Sequence, residues 1–249
     1  DQNIIMSIAT DKTQECDSIL EIGPGPGILT EFLAKHKKPF HVIEKDPRMV
    51  EYLKEYLSGD QILITDALEV DLESYLTNLG WNDKVWLVSN LPYNVSVPLL
   101  TKFIQVPAIT HMTLMFQKEV GEKVYNWAAR ENAMGSLMAL TQTYFMTSLK
   151  CPVPPGAFVP PPKVDSVVIS LERNSFPAIS LDEFKHFEKF LRLTFANRRK
   201  QIGSVWKSHF DKEKFEPALE KLGMDRTVRA EKFTLEQVQS LYREIYSAN

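Results

Sequence analysis

Residues 89–94, with the sequence SNLPYN, place an amide, a proline and an aromatic ring at the end of the apolar run 85–88. Asn90 offers hydrogen-bond donors and an acceptor, Pro92 has no backbone donor, and Tyr93 supplies a flat face for stacking. A carboxamide oxygen and a backbone carbonyl can accept both hydrogens of an exocyclic amine while a ring stacks on the base. The stretch therefore predicts a site for a base such as adenine. A strand-to-loop turn with a structural Asn and a buried Tyr would show the same residues.

A second candidate site lies earlier in the chain, where residues 18–22 predict a buried strand and residues 28–34 a helix. Between them, GPGPG places Gly23 and Gly25 in a loop. Glycine lets the backbone approach a ligand closely, and the helix that follows offers unpaired N–H groups. The loop departs from the GxGxxG pattern, and glycines that only turn the chain into a helix would look similar.

Acidic residues follow the next predicted strands. Glu44 lies 21 positions after Gly23, close to the spacing at which a carboxylate meets a ribose in nucleotide-binding units. Asp66 ends the third strand beside Ala67, a small residue that leaves room for a flat ring. If Glu21 is included, acids at three strand ends predict a ligand site at one edge of a parallel sheet. Asp66 taken alone could be a solvated loop acid.

The elements that must position these residues alternate along the chain. Strands are predicted at residues 18–22, 40–43, 61–64, 85–88, 112–116, 146–151 and 166–171. Helices are predicted at residues 28–34, 47–57, 97–104, 136–145 and after Gln117, with Asp46 and Ser96 as caps. Right-handed crossovers then give an α/β fold, a doubly wound Rossmann-like sheet with Asn90 beside the nucleotide cleft.

A proline-rich loop joins the last two predicted strands. It holds five of the fifteen prolines of the chain within residues 153–165. We interpret it as a rigid hairpin loop that presents Phe158 to the second face of the ring on which Tyr93 stacks. A stiff polyproline linker, or a ligand of an SH3-type domain, is the alternative interpretation.

The composition changes to helix formers after Glu172, which predicts two domains, residues 1–175 and 176–249. The second is a small helical domain in which residues 192–207 carry no Asp or Glu. The basic residues of this segment are Arg192, Arg198, Arg199, Lys200 and Lys207. We predict a phosphate-contacting surface here. A solvated helix face would look alike, and the interleaved Phe195 and Trp206 could be helix core. Thr234 is the predicted cap of the last helix.

Composition limits the class of protein. The 249 residues carry a net charge of −3, so nucleic-acid binding would need a local basic patch. No apolar run reaches the roughly 18 residues that span a bilayer, and no secretory signal opens the chain. The two cysteines stand far apart without metal-ligand spacing, which predicts neither a zinc site nor a disulfide framework. We expect a soluble, cytoplasmic monomer without metal. The chain begins without Met, and we expect a leading basic tail to be missing.

Taken in order, these motifs resemble the KsgA family of small-subunit rRNA adenine dimethyltransferases over nearly the whole chain. The matching pieces are Gln2-Asn3, EIGPGPGILT at 21–30, Glu44, DAL at 66–68, NLPYN at 90–94, QKEV at 117–120, PGAF at 155–158, PPPKVDS at 160–166 and NRRK at 197–200. Two departures stand out. Asp1 occupies a position where the family usually has glycine, and the interval from Asn3 to Gly23 is shorter than is common, which predicts a trimmed or reshaped leading helix.

The resemblance implies a fold that binds S-adenosylmethionine and carries roles over to matching positions. The implied donor-binding residues are Asn3, the backbone near Ile5, Gly23, Gly25, Glu44 at the ribose, Asp66 at the adenine amine, Ala67 and Asn90. Asn90 and Pro92 would act at the target adenine, and Tyr93 and Phe158 would enclose it. Arg198, Arg199 and Lys200 would contact RNA. The family methylates two adjacent adenines near the 3′ end of small-subunit rRNA in an assembling ribosomal subunit.

Two other families remain open. An Erm-type methyltransferase of large-subunit rRNA shares the donor site and the NLPY-like stretch, although the proline-rich loop and the NRRK segment favour KsgA. A non-catalytic RNA-binding assembly factor, like the related mitochondrial transcription factors, would keep the fold without the activity. The intact Glu44, Asp66 and Asn90 argue against that second alternative.

Overall fold

The computed structural model describes residues 1–131 and 133–246, and within them seven strands form one sheet. The strands are β1 (Ser18–Ile22), β2 (Phe40–Glu44), β3 (Ile62–Ile64), β4 (Val85–Asn90), β5 (Ile109–Gln117), β6 (Phe145–Val153) and β7 (Ser166–Arg173). Each lies where an apolar run predicts it, and most extend a few residues further because backbone pairing continues into polar positions.

Helices fill the connections. The α-helices are α1 (Gln2–Ala9), α2 (Thr30–Leu33), α3 (Val50–Leu53), α4 (Leu72–Asn78), α5 (Ser96–Ile104), α6 (Lys118–Val124), α7 (Ser136–Tyr144), α8 (Phe184–Phe195), α9 (Ile202–Trp206), α10 (Lys212–Lys221) and α11 (Leu235–Tyr246). Short 3₁₀ turns occupy Ala34–His36, Pro47–Met49, Gly59–Gln61, Pro155–Ala157, Leu181–Glu183 and Ala230–Lys232. No helix of the described residues is both long and apolar enough to cross a membrane.

The strand order β3-β2-β1-β4-β5-β7-β6 confirms the doubly wound sheet. β1 pairs in parallel with β2 and β4, β4 pairs in parallel with β5, and β7 runs antiparallel to β5. Every residue of β1 is buried, as expected for a strand whose two faces are both covered. The order reverses between β1 and β4, so the ends of these strands form the crevice where open α/β sheets bind ligands.

The chain separates into two compact units. The first comprises Asp1–Gly121 and Thr147–Arg173, which contain most of the sheet. The second comprises Glu122–Met146 and the segment that starts at Asn174. The composition of residues 122–146 predicts that they belong to the first domain, because nothing in it marks a change there. In the structure α7 packs against α8 and α11 of the second unit.

The core of the second unit is aromatic. Trp206 is fully buried, lies 6.0 Å from the ring of Phe190, and donates from Nε1 to Thr194 Oγ1 at 3.2 Å. Phe195 is 9% exposed. Both aromatic residues of the basic segment 192–207 are therefore helix core, the alternative left open from the sequence, whereas its charged residues face solvent.

Two of the three predicted helix caps are confirmed. Asp46 Oδ1 accepts from Arg48 N at 3.0 Å, and Thr234 Oγ1 accepts from Gln237 N at 3.2 Å in a reciprocal capping box. The Ser96 cap is wrong. Ser96 is already the first residue of α5, and its hydroxyl donates to Tyr93 O at 3.2 Å. The predicted helix 47–57 is also shorter, a 3₁₀ turn followed by α3.

Candidate active site

The glycine loop follows β1 and borders open space. Gly23 and Gly25 have φ of +66° and +58°, a region that L side chains rarely adopt, and an added Cβ at either would meet no heavy atom within 4 Å. Gly23 N donates to Ile43 O at 2.9 Å, which ties the loop to β2. A ligand can therefore approach this backbone without displacing a side chain.

Glu44 joins the end of β2 to that loop. Its Oε2 accepts from Gly25 N at 2.9 Å and its Oε1 accepts from Asp46 N at 2.7 Å, with the residue only 7% exposed. Because each carboxyl oxygen has two lone pairs and uses one of them here, each keeps an acceptor position that can bind a hydroxyl. The geometry suits recognition of a vicinal diol such as that of a ribose.

Asp66 lies one strand further, after β3. Its Oδ1 accepts from Leu68 N at 2.9 Å, and its Oδ2 accepts from Lys45 Nζ at 2.7 Å. The Lys45 side chain, followed by the Leu68 amide, lowers the pKa of Asp66, so this carboxylate is ionised and oriented. Ala67 beside it is buried. Lys45 is not among the site residues that the sequence predicts, although a basic residue directly after Glu44 is a signal that the sequence does carry.

Glu21 lies at the end of β1, next to β2, which ends at Glu44. It is 2% exposed, pairs in register with Val42 and Val88, and its Oε2 accepts from Thr30 Oγ1 at 2.7 Å. Burial raises its pKa to about 8, and repulsion from Glu44 adds to the rise. Glu21 therefore stands at a strand end, as the sequence predicts, but it is buried and its carboxyl group is bonded to Thr30.

Asn90 is the last residue of β4 and is exposed, whereas both of its neighbours are fixed in the interior. Ser89 Oγ donates to Ile22 O at 2.7 Å, and Leu91 N donates to Met115 O at 3.3 Å. β4 is thus held between β1 and β5 up to its final residue. This anchoring presents the Asn90 carboxamide at the crevice where the strand order reverses.

Tyr93 is partly buried, and its hydroxyl is within 3.1 Å of the buried Ser166 Oγ on β7. A phenol held at its oxygen has a fixed ring orientation, which favours stacking because little rotational freedom is lost. Pro92 is exposed beside it. Like Lys45, Ser166 is a residue of the site for which the sequence predicts no role.

Phe158 and the leading helix come together at the proline-rich loop. Phe158 is partly buried and packs on the core cluster that includes Val153. The amino terminus of Asp1 donates to Ala157 O at 3.3 Å, and Asp1 Oδ1 accepts from Asn3 N at 2.8 Å as the cap of α1. Ile5 N donates to Asp1 O at 3.2 Å. These two backbone N–H groups are used inside the helix, so Asn3 and Ile5 have only side chains and carbonyls to offer a ligand.

Arg198, Arg199 and Lys200 lie in the turn between α8 and α9 of the second unit, and all three are exposed. Arg198 Nη1 donates to Ala133 O at 3.3 Å and to Met134 O at 3.2 Å. The guanidinium therefore also holds a neighbouring segment in place. Within residues 1–131 and 133–246 no group of three His, Cys, Asp or Glu side chains has the arrangement of a metal site.

Comparison with known proteins decides the family. The profile of the family described as ribosomal RNA adenine dimethylase matches residues 1–247. The chain belongs to this family. A relative of this dimethylase from Staphylococcus epidermidis, named ribosomal RNA small subunit methyltransferase A, is 37% identical over 98% of the chain and 86% of its own length. A protein of the same name from Clostridium botulinum is 37% identical over 92% of the chain and 84% of its own length.

Solved structures agree with the fold of the dimethylase. The 23S rRNA methyltransferase ErmE is 25% identical with a TM-score of 0.72 and covers 98% of each chain. A dimethyladenosine transferase from Plasmodium falciparum is 24% identical with a TM-score of 0.76, and the match covers 97% of this chain and 94% of that one. The Rossmann-like methyltransferase fold expected from the sequence is confirmed.

The methyl donor of this dimethylase is S-adenosylmethionine, and the groups at the crevice fit its parts. Open space adjoins the Gly23 and Gly25 backbone, Glu44 keeps acceptors for a diol, and Asp66 is an oriented acceptor for an amine. A small buried residue, Ala67, stands next to Asp66 where a flat ring needs room. The hydrogen-bonding groups and the open space at the crevice therefore match an adenosine that carries a cationic side chain.

Proposed function

We propose that this dimethylase transfers methyl groups to N6 of two adjacent adenosines near the 3′ end of small-subunit rRNA during ribosome assembly. The two relatives at 37% identity are named for the small subunit. ErmE, named for 23S rRNA, is less similar at 25% identity. We also propose that the enzyme is cytoplasmic and monomeric, since it acts on free ribosomal subunits and its site needs no second copy of the chain.

The observation that carries the proposal is the exposed carboxamide of Asn90 at the switch point of the sheet. Pro92 O accepts from Val95 N at 3.1 Å and Tyr93 O accepts from Ser96 Oγ at 3.2 Å. We therefore assign the Leu91 carbonyl as the partner of Asn90 at the target amine. Pro92, which lacks an N–H, keeps this short segment rich in acceptors.

Two acceptors can take both hydrogens of an adenine amino group. With these hydrogens held in the ring plane by Asn90 Oδ1 and the Leu91 carbonyl, the nitrogen lone pair points out of the plane, toward the donor side of the crevice. Bound S-adenosylmethionine supplies a methyl group activated by a positively charged sulfur. The contribution of the chain is orientation and hydrogen bonding, which need no covalent enzyme intermediate.

The target adenine must leave its stack before it reaches Asn90. Tyr93 and Phe158 are assigned to the two faces of the everted ring, where stacking offsets part of the unstacking cost of a few kcal/mol. The bond from Tyr93 to Ser166 supports this role because it holds the ring in one orientation. We assign binding of the methyl donor to Asn3 and Ile5 of α1, together with Gly23, Gly25, Glu44, Asp66 and Ala67.

We assign catalysis to residues 1–175 and rRNA contact to residues 176–249. The exposed side chains of Arg198, Arg199 and Lys200 support the second assignment, because three adjacent cations in a chain of net charge −3 form a local phosphate site.

The proposal is tested by methyl transfer from labelled donor to undermethylated small ribosomal subunits, followed by mass mapping of the modified nucleotides. We expect two adjacent dimethylated adenines near the 3′ end. Purified large subunits are the matched control and should stay unlabelled. Transfer to large subunits alone would establish the Erm-type activity instead. Binding of small subunits without transfer or donor binding would establish a non-catalytic assembly factor.

A further inference from the structure

A cavity in the second unit lies outside every residue assigned so far to donor or target. Its volume is about 540 Å³, and it opens between α9, the first turn of α10 and the loop that carries Arg226. The side chains around it that can bind a ligand are Gln201, Ser204, Lys207, Lys212, Glu216 and Arg226.

The charge of this cavity is opposite to that of the chain. Three cations and one carboxylate line it, a net +2 against −3 for the whole protein. Glu216 lies 3.6 Å from Lys212 Nζ and 3.7 Å from Arg226 Nη1, distances too long for hydrogen bonds. At these distances Glu216 forms ion pairs with both cations and offsets one of the three positive charges, so the lining keeps a net +2 that favours an anion as its ligand.

The wall that carries Arg226 is held rigidly. Gly203 N donates to Arg226 O at 2.9 Å, and Ile202 N donates to Val228 O at 2.7 Å. A Cβ at position 203 would lie 2.6 Å from Arg226 Cβ, so only glycine allows this approach. The loop is packed directly on the first turn of α9, which fixes where the Arg226 side chain begins. With its backbone held, only the side chain of Arg226 has to be ordered when an anion binds, which lowers the loss of conformational entropy.

Neutral polar groups complete the lining. The Ser204 hydroxyl and the Gln201 amide both donate and accept, as the 2′-hydroxyl of a ribose does. The volume exceeds that of one phosphate group. We propose that this cavity binds one nucleotide of the RNA substrate, with its phosphate at Lys207, Lys212 and Arg226 and its ribose at Ser204 and Gln201. This inference rests on the proposed function, since it adds a second contact to the same RNA.

Charge removal is the first test. In the full chain, Lys207→Gln combined with Arg226→Gln should weaken binding of a short fluorescent single-stranded RNA about tenfold. The slope of log affinity against log salt should fall in magnitude by about 0.7, the value for one released phosphate contact. Lys189→Gln with Lys214→Gln removes the same charge from exposed positions of the same unit and is the matched control. Equal weakening in both pairs would reduce the cavity to ordinary surface charge and overturn the proposal.

Blocking the cavity without changing its charge is the second test. Ser204→Phe fills the cavity from an exposed position of α9, whereas Ser208→Phe places the same ring outside the lining. We expect weaker RNA binding only for Ser204→Phe, at an unchanged melting temperature. Unchanged affinity would refute the nucleotide site. Methyl transfer by the unmodified protein, measured on small subunits in parallel, separates this failure from a failure of the proposed function.

Discussion

Replacing Glu21 by Gln tests whether a neutral acid lies beneath the glycine loop. Glutamine has nearly the shape of a protonated glutamate, and its side-chain oxygen can keep the hydrogen bond that Glu21 Oε2 accepts from Thr30 Oγ1 at 2.7 Å. What the substitution removes is the ability to ionise. Burial raises the pKa of Glu21 to about 8, well above its ordinary value of 4.5.

The sign and size of the effect follow from proton linkage. Between about pH 4.5 and pH 8 the folded protein holds a proton at Glu21 that the unfolded chain has released. The stabilisation from this proton is fully present below about pH 4.5 and is lost as the pH rises through about 8. Each pH unit in this window changes the free energy of unfolding by about 1.4 kcal/mol. Between about pH 5 and pH 8, Glu21→Gln should gain on the order of 4 kcal/mol relative to the unmodified protein.

Urea unfolding of both proteins without methyl donor, at the two ends of this pH window, measures the difference. Glu31→Gln removes a partly exposed, ion-paired carboxylate from α2, the helix that carries Thr30, and serves as the matched control. We expect the two stability curves to converge at the acidic end and to separate at the basic end for Glu21→Gln only. A constant difference between the two proteins across the window would show that Glu21 is not buried in neutral form.

Three further variants test the site and its support. Asn90→Ala should abolish methyl transfer and largely spare donor binding measured by calorimetry, because the amide acts on the target amine; near-normal turnover would remove Asn90 from the mechanism. Arg198→Glu with Arg199→Glu should weaken small-subunit binding most at low salt, and an unchanged affinity across a salt series would assign these residues to ordinary surface. Asp11→Ala should lower the free energy of unfolding by about 3 kcal/mol, since its nearly buried carboxylate pairs with Lys150 Nζ at 2.7 Å and accepts from Thr113 Oγ1 at 2.7 Å. Urea unfolding measures that loss, and a change below about 1 kcal/mol would contradict it.

Local patterns predicted much of the fold because local physics controls those features. Continuous apolar runs become strands covered on both faces, and six of the seven predicted strand starts lie within one residue of the observed ones. The glycine loop follows from the need for positive φ at Gly23 and Gly25. Asp46 and Thr234 are caps because their short side chains reach N–H groups only two or three residues ahead.

Other features depend on partners far along the chain. Lys45 reaches Asp66 across 21 positions, Tyr93 reaches Ser166 across 73, and residues 122–146 join a unit that otherwise starts at Asn174. Sequence spacing holds no information about such pairs. They exist only after the strands are ordered β3-β2-β1-β4-β5-β7-β6 and the helices are packed.

The sequence by itself determined the strand ends and the glycine loop, and with them the set of residues from which a methyl-transfer site can be built. Only the tertiary structure decided which of these residues face the crevice. Glu21 and Glu44 are both acids at the ends of neighbouring strands, yet one is a buried neutral group and the other binds the Gly25 amide at the edge of the crevice. Both side chains are buried, and the physical reason for the difference is the set of hydrogen-bond donors that other parts of the chain bring to each one, the Thr30 hydroxyl at Glu21 and the Gly25 and Asp46 amides at Glu44.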